Sequence, residues 1–355
     1  MFARVVTDIL ATLRDYYRQP PVRARMLEFL GADEAGDFTA EYITADTTDA
    51  AERTPLLPWE LAVQLEAGRD ICRSLADRDS LIAHLDIEYV NFDFPAEAYL
   101  DPVRAFALQE PLEAAVKRVL GHYGIEALHV LSGRGHHFIW RIHRASRVFA
   151  RLADAGRSTQ LNDSLLVRRR DGLDTPSITC AFAGLGLLME FVARLVIDLS
   201  ARETAIPVAM TAVEVGPSGC GREMVSIDLS EYADPLPMRT IRIPYSGYLK
   251  PWQQPYAVGQ ANLPRIGPII FVTLDVRRNG HARGKQNKNR EDHDDVSEEA
   301  FHPTLIAHSS AGCYGMCHPH PGPQKSWATL PHRRMALCKR GLACEGKLTA
   351  RPCTN

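Results

Sequence analysis

Apolar residues recur at every fourth position near the start of the chain, at Val5, Ile9, Leu13 and Tyr17, with Asp8, Arg14 and Asp15 between them. This spacing predicts an amphipathic helix and not a signal peptide. Helical patterning returns over 60–78, 103–123, 145–156 and 180–202. β-branched and alternating runs predict strands over 81–90, 127–131, 136–142, 209–215, 224–229 and 240–244. The run from Ala181 to Leu199 is apolar enough to suggest a membrane span, yet Glu190, Arg194 and Asp198 fall on one helical face, which predicts a buried helix of a cytoplasmic protein with no membrane partner. Strands interleaved with helices but joined partly by tight turns predict an α+β fold, with a mixed and largely antiparallel sheet flanked by helices.

Composition changes this picture mainly at the C-terminal end. The 355 residues are 45% hydrophobic and 24% charged, enough for a sizeable core. The formal charge of −2 means that polyanion binding must come from a local groove. Residues 277–299 are polar almost throughout and read as a solvated linker, dividing the chain into a catalytic-sized domain over 1–278, a linker over 279–300 and a tail over 301–355. The tail is rich in Cys and His (Cys313, Cys317, His318, His320, Cys338, Cys344), and Glu345 is its only acid. It reads either as a Zn²⁺ site that supplies missing folding energy or as a disordered basic segment suited to nucleic acid.

Three clusters carry candidate chemistry. In the run from His84 to Tyr89, strand alternation puts Asp86 and Glu88 on one face and Leu85 and Ile87 on the other; paired carboxylates suit a divalent metal, although a solvated strand edge has the same pattern. Asp93, beyond Asn91, reads as a turn residue. The run Ser132-Gly133-Arg134-Gly135-His136-His137 offers glycine-permitted backbone N–H groups and Ser, Arg and His donors, a pattern suited to a triphosphate and equally to a plain hairpin. Adjacent histidines face opposite sides of a strand, so only one can join the carboxylates. Third come Ile227-Asp228, with Asp234 nearby as a rival acid, and the stretch Arg242-Ile243-Pro244-Tyr245-Ser246 followed by Lys250.

Taken in order, these elements resemble the archaeo-eukaryotic primase superfamily, which includes primase small catalytic subunits and the primase-polymerases of mobile elements. Asp86 and Glu88 match its acidic pair, Arg134-Gly135-His136-His137 its RG-x-H element, Ile227-Asp228 its hydrophobic-Asp motif, and Arg242 to Ser246 its R-x-P-x-S stretch. The resemblance covers roughly residues 80 to 250; the family's zinc-binding insertions have no counterpart between these motifs. It implies a primase-polymerase-type catalytic core that performs template-directed nucleotidyl transfer. Asp86, Glu88 and Asp228 would hold two Mg²⁺ or Mn²⁺ ions. Ser132, Arg134, Gly135, His137, Arg242, Ser246 and Lys250 would hold the nucleotide. The implied partners are single-stranded DNA template, nucleoside triphosphates and a helicase or other replication or repair protein. A metal-dependent nuclease built on the same carboxylates and a catalytically silent nucleic-acid binder are the alternatives.

Overall fold

A computed structural model describes residues 2–45, 55–157, 176–211, 223–233, 236 and 239–274. The linker, the Cys/His-rich tail with its zinc expectation, and Asp234 lie outside the described residues.

Helix α1 (Phe2–Tyr17) buries the stripe its sequence announces, with Ile9, Leu13 and Tyr17 nearly inaccessible. Helix α2 (Pro20–Leu30) begins on a proline, which needs no amide partner there. It stops at Gly31, whose φ of 73° closes the last turn through N–H bonds to the carbonyls of Glu28 and Leu27. Strand β1 (Ala40–Thr44) follows.

The predicted helix over 60–78 is instead a short helix, α3 (Leu61–Glu66), and a strand, β2 (Ile71–Asp77). Gly68 makes the break. At φ +70° it adopts a conformation that a side chain would strain, and a Cβ there would lie 2.6 Å from the Leu10 carbonyl oxygen. The residues after it extend because β1 and β8 (Thr240–Arg242) pair with them in antiparallel register.

Strand β3 (Ser80–Asn91) is the spine of the sheet. Next come three short helices: α4 (Glu97–Leu100), α5 (Pro102–Ala107) and α6 (Glu110–His122). The break between α5 and α6, inside the predicted 103–123 helix, falls at Gln109, which is buried and donates to the carbonyls of Ala105 and Arg134. Strands β4 (Leu128–Leu131) and β5 (Gly135–His143) form the hairpin, and helices α7 (Arg147–Arg157) and α8 (Pro176–Ser200) come next. Strands β6 (Val208–Met210), β7 (Glu223–Asp228) and, after β8, β9 (Val272–Thr273) complete the described sheet.

All described pairings are antiparallel except β6 with β7. The α+β class and the largely antiparallel sheet expected from the pattern are therefore present. One sheet face carries Leu81, Ala83, Leu85, Ile87, Val225 and Ile227 into a core shared with α6, α7 and α8. Gly156 and Gly184 let α7 and α8 approach backbone to backbone; a Cβ on Gly184 would stand 2.0 Å from the Leu152 carbonyl oxygen. Helix α8 is long and apolar enough to cross a membrane by length and composition, and half of its apolar window is buried within the protein. Glu190 and Arg194 pair on its exposed face. A second core joins α1, α2 and α3 to the segment from Ile243 to Ile266.

Candidate active site

The pleat of β3 decides which side chains meet. Leu85 and Ile87 go to the helix-covered core, so His84, Asp86 and Glu88 face the other way. Asp86 is directly opposite His137 on β5 and Asp228 on β7. Cross-strand partners share a face, so three residues distant in sequence meet at one level of the sheet. His136 takes the opposite face, where it bonds to His129 at 2.9 Å and packs edge-on against Phe106.

These side chains line a cleft of about 400 Å³ together with Glu88, Ser132, Arg134, Glu231, Arg239, Arg242, Tyr248, Lys250 and Phe271. Its lining holds both acids and bases. Glu88 is ion-paired with Arg134 through a very short contact. Arg242 lies 4.6 Å from the Tyr248 ring centre and 5.4 Å from that of Phe271, and it donates to Asp70 at 2.8 Å. Phe271 meets His137 edge-on at 5.1 Å. Lys250 stands exposed at the rim, with no ion-pair partner among the described residues.

Two expected nucleotide ligands do not reach the cleft. Ser246 is fully buried; its hydroxyl accepts the Ile71 N–H at 2.7 Å and donates to the Gly247 carbonyl, fastening the start of β2. Gly135 serves the sheet, because a Cβ there would sit 1.9 Å from the Ile87 carbonyl oxygen. The turn also differs from the expected anion clasp. The N–H groups of Arg134 and Gly135 point at the Ser132 hydroxyl, at 3.4 and 3.0 Å, so its side chains and not these amides are left for a ligand. Asp228 both faces the cleft and caps a turn, accepting the Ser230 N–H at 2.9 Å.

Sequence reasoning assigned no role to His84, although it shares a face with Asp86 by simple alternation. Its Nδ1 lies 2.8 Å from a Glu231 carboxylate oxygen. The Tyr232 hydroxyl bonds both the N–H and the carbonyl of His84, standing in for a strand just beyond the end of β7. Asp70, Glu231, Tyr248 and Phe271 had no local signal; strand pairing and the return of the chain over the cleft bring them in.

Among the described residues, His84, Asp86 and His137 alone form a group of three or more metal-capable side chains with donor atoms within 4.8 Å of one another. His84 Nε2, Asp86 Oδ1 and His137 Nδ1 are buried and lack hydrogen-bond partners. Such orphans are rare in native interiors. Burial, and then the charges of Glu88, Glu231 and Asp228, hold the Asp86 carboxyl well above its ordinary range. Burial and nearby His84 and Arg242 hold His137 well below its own, so its imidazole is neutral and its lone pair free. A cation among these groups would offset the repulsion and use the orphaned His84 Nε2 and Asp86 Oδ1, so the donor set fits a metal ion.

Comparison with protein-family models, with curated proteins and with solved structures gives no match.

Proposed function

We propose that this chain is a metal-dependent nucleotidyltransferase of primase-polymerase type, joining nucleotides on a single-stranded DNA template. The observation that carries the reading is the register of β3: Asp86 stands between His137 and Asp228, in a cleft that also holds Arg134, Arg242 and Lys250. Carboxylates beside cationic side chains suit a substrate with a chain of phosphates. A bound ion would polarise the phosphoryl oxygens and lower the cost of ionising the attacking hydroxyl.

The protein's own groups divide the remaining work. Arg242, packed against the stacked rings of Tyr248 and Phe271 and braced by Asp70, is pre-positioned to donate to phosphate oxygens. Lys250 supplies an exposed charge at the entrance. Arg134 is held by Glu88, which keeps its positive charge at the wall of the cleft. Asp228, with one oxygen on the Ser230 N–H, keeps a fixed orientation toward the cleft.

A nuclease using the same acids needs no triphosphate subsite. Competitive titration with a nucleoside triphosphate and the matching monophosphate in Mn²⁺ separates the two. Triphosphate binding tighter by at least about tenfold, or about 1.4 kcal/mol, is expected from one additional charge-assisted contact. Equal affinities, with cleavage of labelled single-stranded DNA, would turn the reading to a nuclease.

A further inference from the structure

We infer that the ion of this cleft is a divalent first-row transition-metal ion that accepts imidazole nitrogen, from Mn²⁺ through Co²⁺ to Zn²⁺. One ion binds per chain, to His84 Nε2 with Asp86 and His137, and Glu231 is the positioning residue that aims His84. The inference deepens the proposed function and rests on its premise that the cleft works through a metal. It replaces the all-carboxylate, two-ion set that the primase resemblance implies with a mixed nitrogen and oxygen set.

Four observations point the same way. The Nδ1 of His84 is taken by Glu231 at 2.8 Å, which leaves Nε2 as the atom turned elsewhere, and that atom is buried without a partner. A histidine tied through one ring nitrogen to a carboxylate is the usual arrangement behind a metal-bound imidazole, because it fixes both the tautomer and the ring. The rings of His84 and His137 are 4.6 Å apart, and His137 Nε2 is 3.3 Å from Asp86 Oδ1, so the three donors already converge. Finally, Glu88 spends its charge on Arg134, so the guanidinium holds the place a second ion would need.

The donor chemistry selects the ion. Mg²⁺ favours oxygen, demands near-ideal octahedral geometry and gives up water reluctantly. Two imidazoles in a buried setting suit first-row transition-metal ions instead, with affinity rising from Mn²⁺ through Co²⁺. A buried His–Glu ion pair serving only the fold would explain the Glu231 contact but not the orphaned His84 Nε2 and Asp86 Oδ1 that face one another with His137 in the same donor group.

The test uses the full chain, stripped with a chelator and loaded with Mn²⁺, Co²⁺ or Mg²⁺ in turn. Calorimetry is expected to give one Mn²⁺ per chain, with Mg²⁺ weaker and Co²⁺ tighter. Pulsed electron paramagnetic resonance of the Mn²⁺-loaded wild type should show imidazole nitrogen coupling, a readout that requires no variant. Glu231→Gln should weaken Mn²⁺ binding by about 10- to 100-fold and shift the Co²⁺ absorption spectrum, and His84→Ala should remove the nitrogen coupling of that ring. All-oxygen coordination, equal Mg²⁺ and Mn²⁺ affinity, two equivalent ions, or unchanged binding in Glu231→Gln would overturn the assignment. Nitrogen coupling without nucleotide incorporation would overturn the nucleotidyl-transfer reading and leave the metal assignment standing; incorporation with all-oxygen coordination would do the reverse.

Discussion

Replacing Asp86 with Asn should reverse the order of stability between metal-free and metal-loaded protein. Asp86 is half-buried near Glu88, Glu231 and Asp228, and Asp228 lies directly opposite it in register. Like charges across a strand pair cost about 0.2–1 kcal/mol per pair, and Arg134 offsets part of the sum, so removing the charge should stabilise the chelated protein by about 1 kcal/mol. For a folded unit of this size that is a rise in Tm of roughly 2–4 °C. With an ion at a hundred times its Kd, wild type gains about 2.7 kcal/mol by mass action, whereas the variant, lacking its anionic ligand, gains little. Asp86→Asn should therefore melt higher than wild type in chelator and lower in saturating Mn²⁺. Paired melting curves under the two conditions measure this directly. A variant that melts below wild type in chelator, or that gains as much from Mn²⁺, would refute the picture of mutually repelling carboxylates relieved by a cation.

Acid should weaken the fold through the other face of the sheet. Burial foremost holds His129 and His136 at pKa values of about 4, so stability from keeping them neutral is fully present above about pH 6.5 and is lost as pH falls toward 4, by up to roughly 1.4 kcal/mol per pH unit for each. Urea unfolding at pH 7 and pH 5 checks this, and an unchanged midpoint would count against it. Gly184→Ala should destabilise by about 1–3 kcal/mol despite better helix propensity, because the new methyl meets the Leu152 carbonyl; a neutral or raised Tm would mean that the helices part freely. Lys250→Ala should weaken triphosphate binding by about tenfold at low salt and by less as salt is raised, with no change in Tm, as fits an exposed cation at the rim.

How much of this was legible depends on the range of the interactions. Alternation along β3 separates Asp86 from Leu85 and Ile87, and the same rule puts His137 and His136 on opposite faces. It also places His84 on the face of Asp86, although nothing in its local pattern marks it as a ligand rather than a core histidine. Ser246 misled because a serine inside a motif-like stretch looks the same whether it meets a ligand or, as here, the Ile71 amide. The 60–78 segment misled because an apolar rhythm of helical period ran through Gly68, and only the close approach of Leu10 and the pairing with β1 and β8 settle its two halves. Glu231, Asp70 and the stacked Tyr248–Phe271 pair beside Arg242 are products of tertiary folding, with no local pattern to mark them.

The proposed function is most directly tested by template-directed incorporation. Chelator-stripped full chain is given a single-stranded DNA template, Mn²⁺ and each labelled ribo- or deoxynucleoside triphosphate in turn, with wild type and Asp86→Ala run side by side. The expected result is a labelled product whose composition follows the template base, with pyrophosphate released in step, and no product from Asp86→Ala although it remains folded. No incorporation by wild type with any nucleotide or metal, or incorporation that persists at full rate in Asp86→Ala, would contradict it.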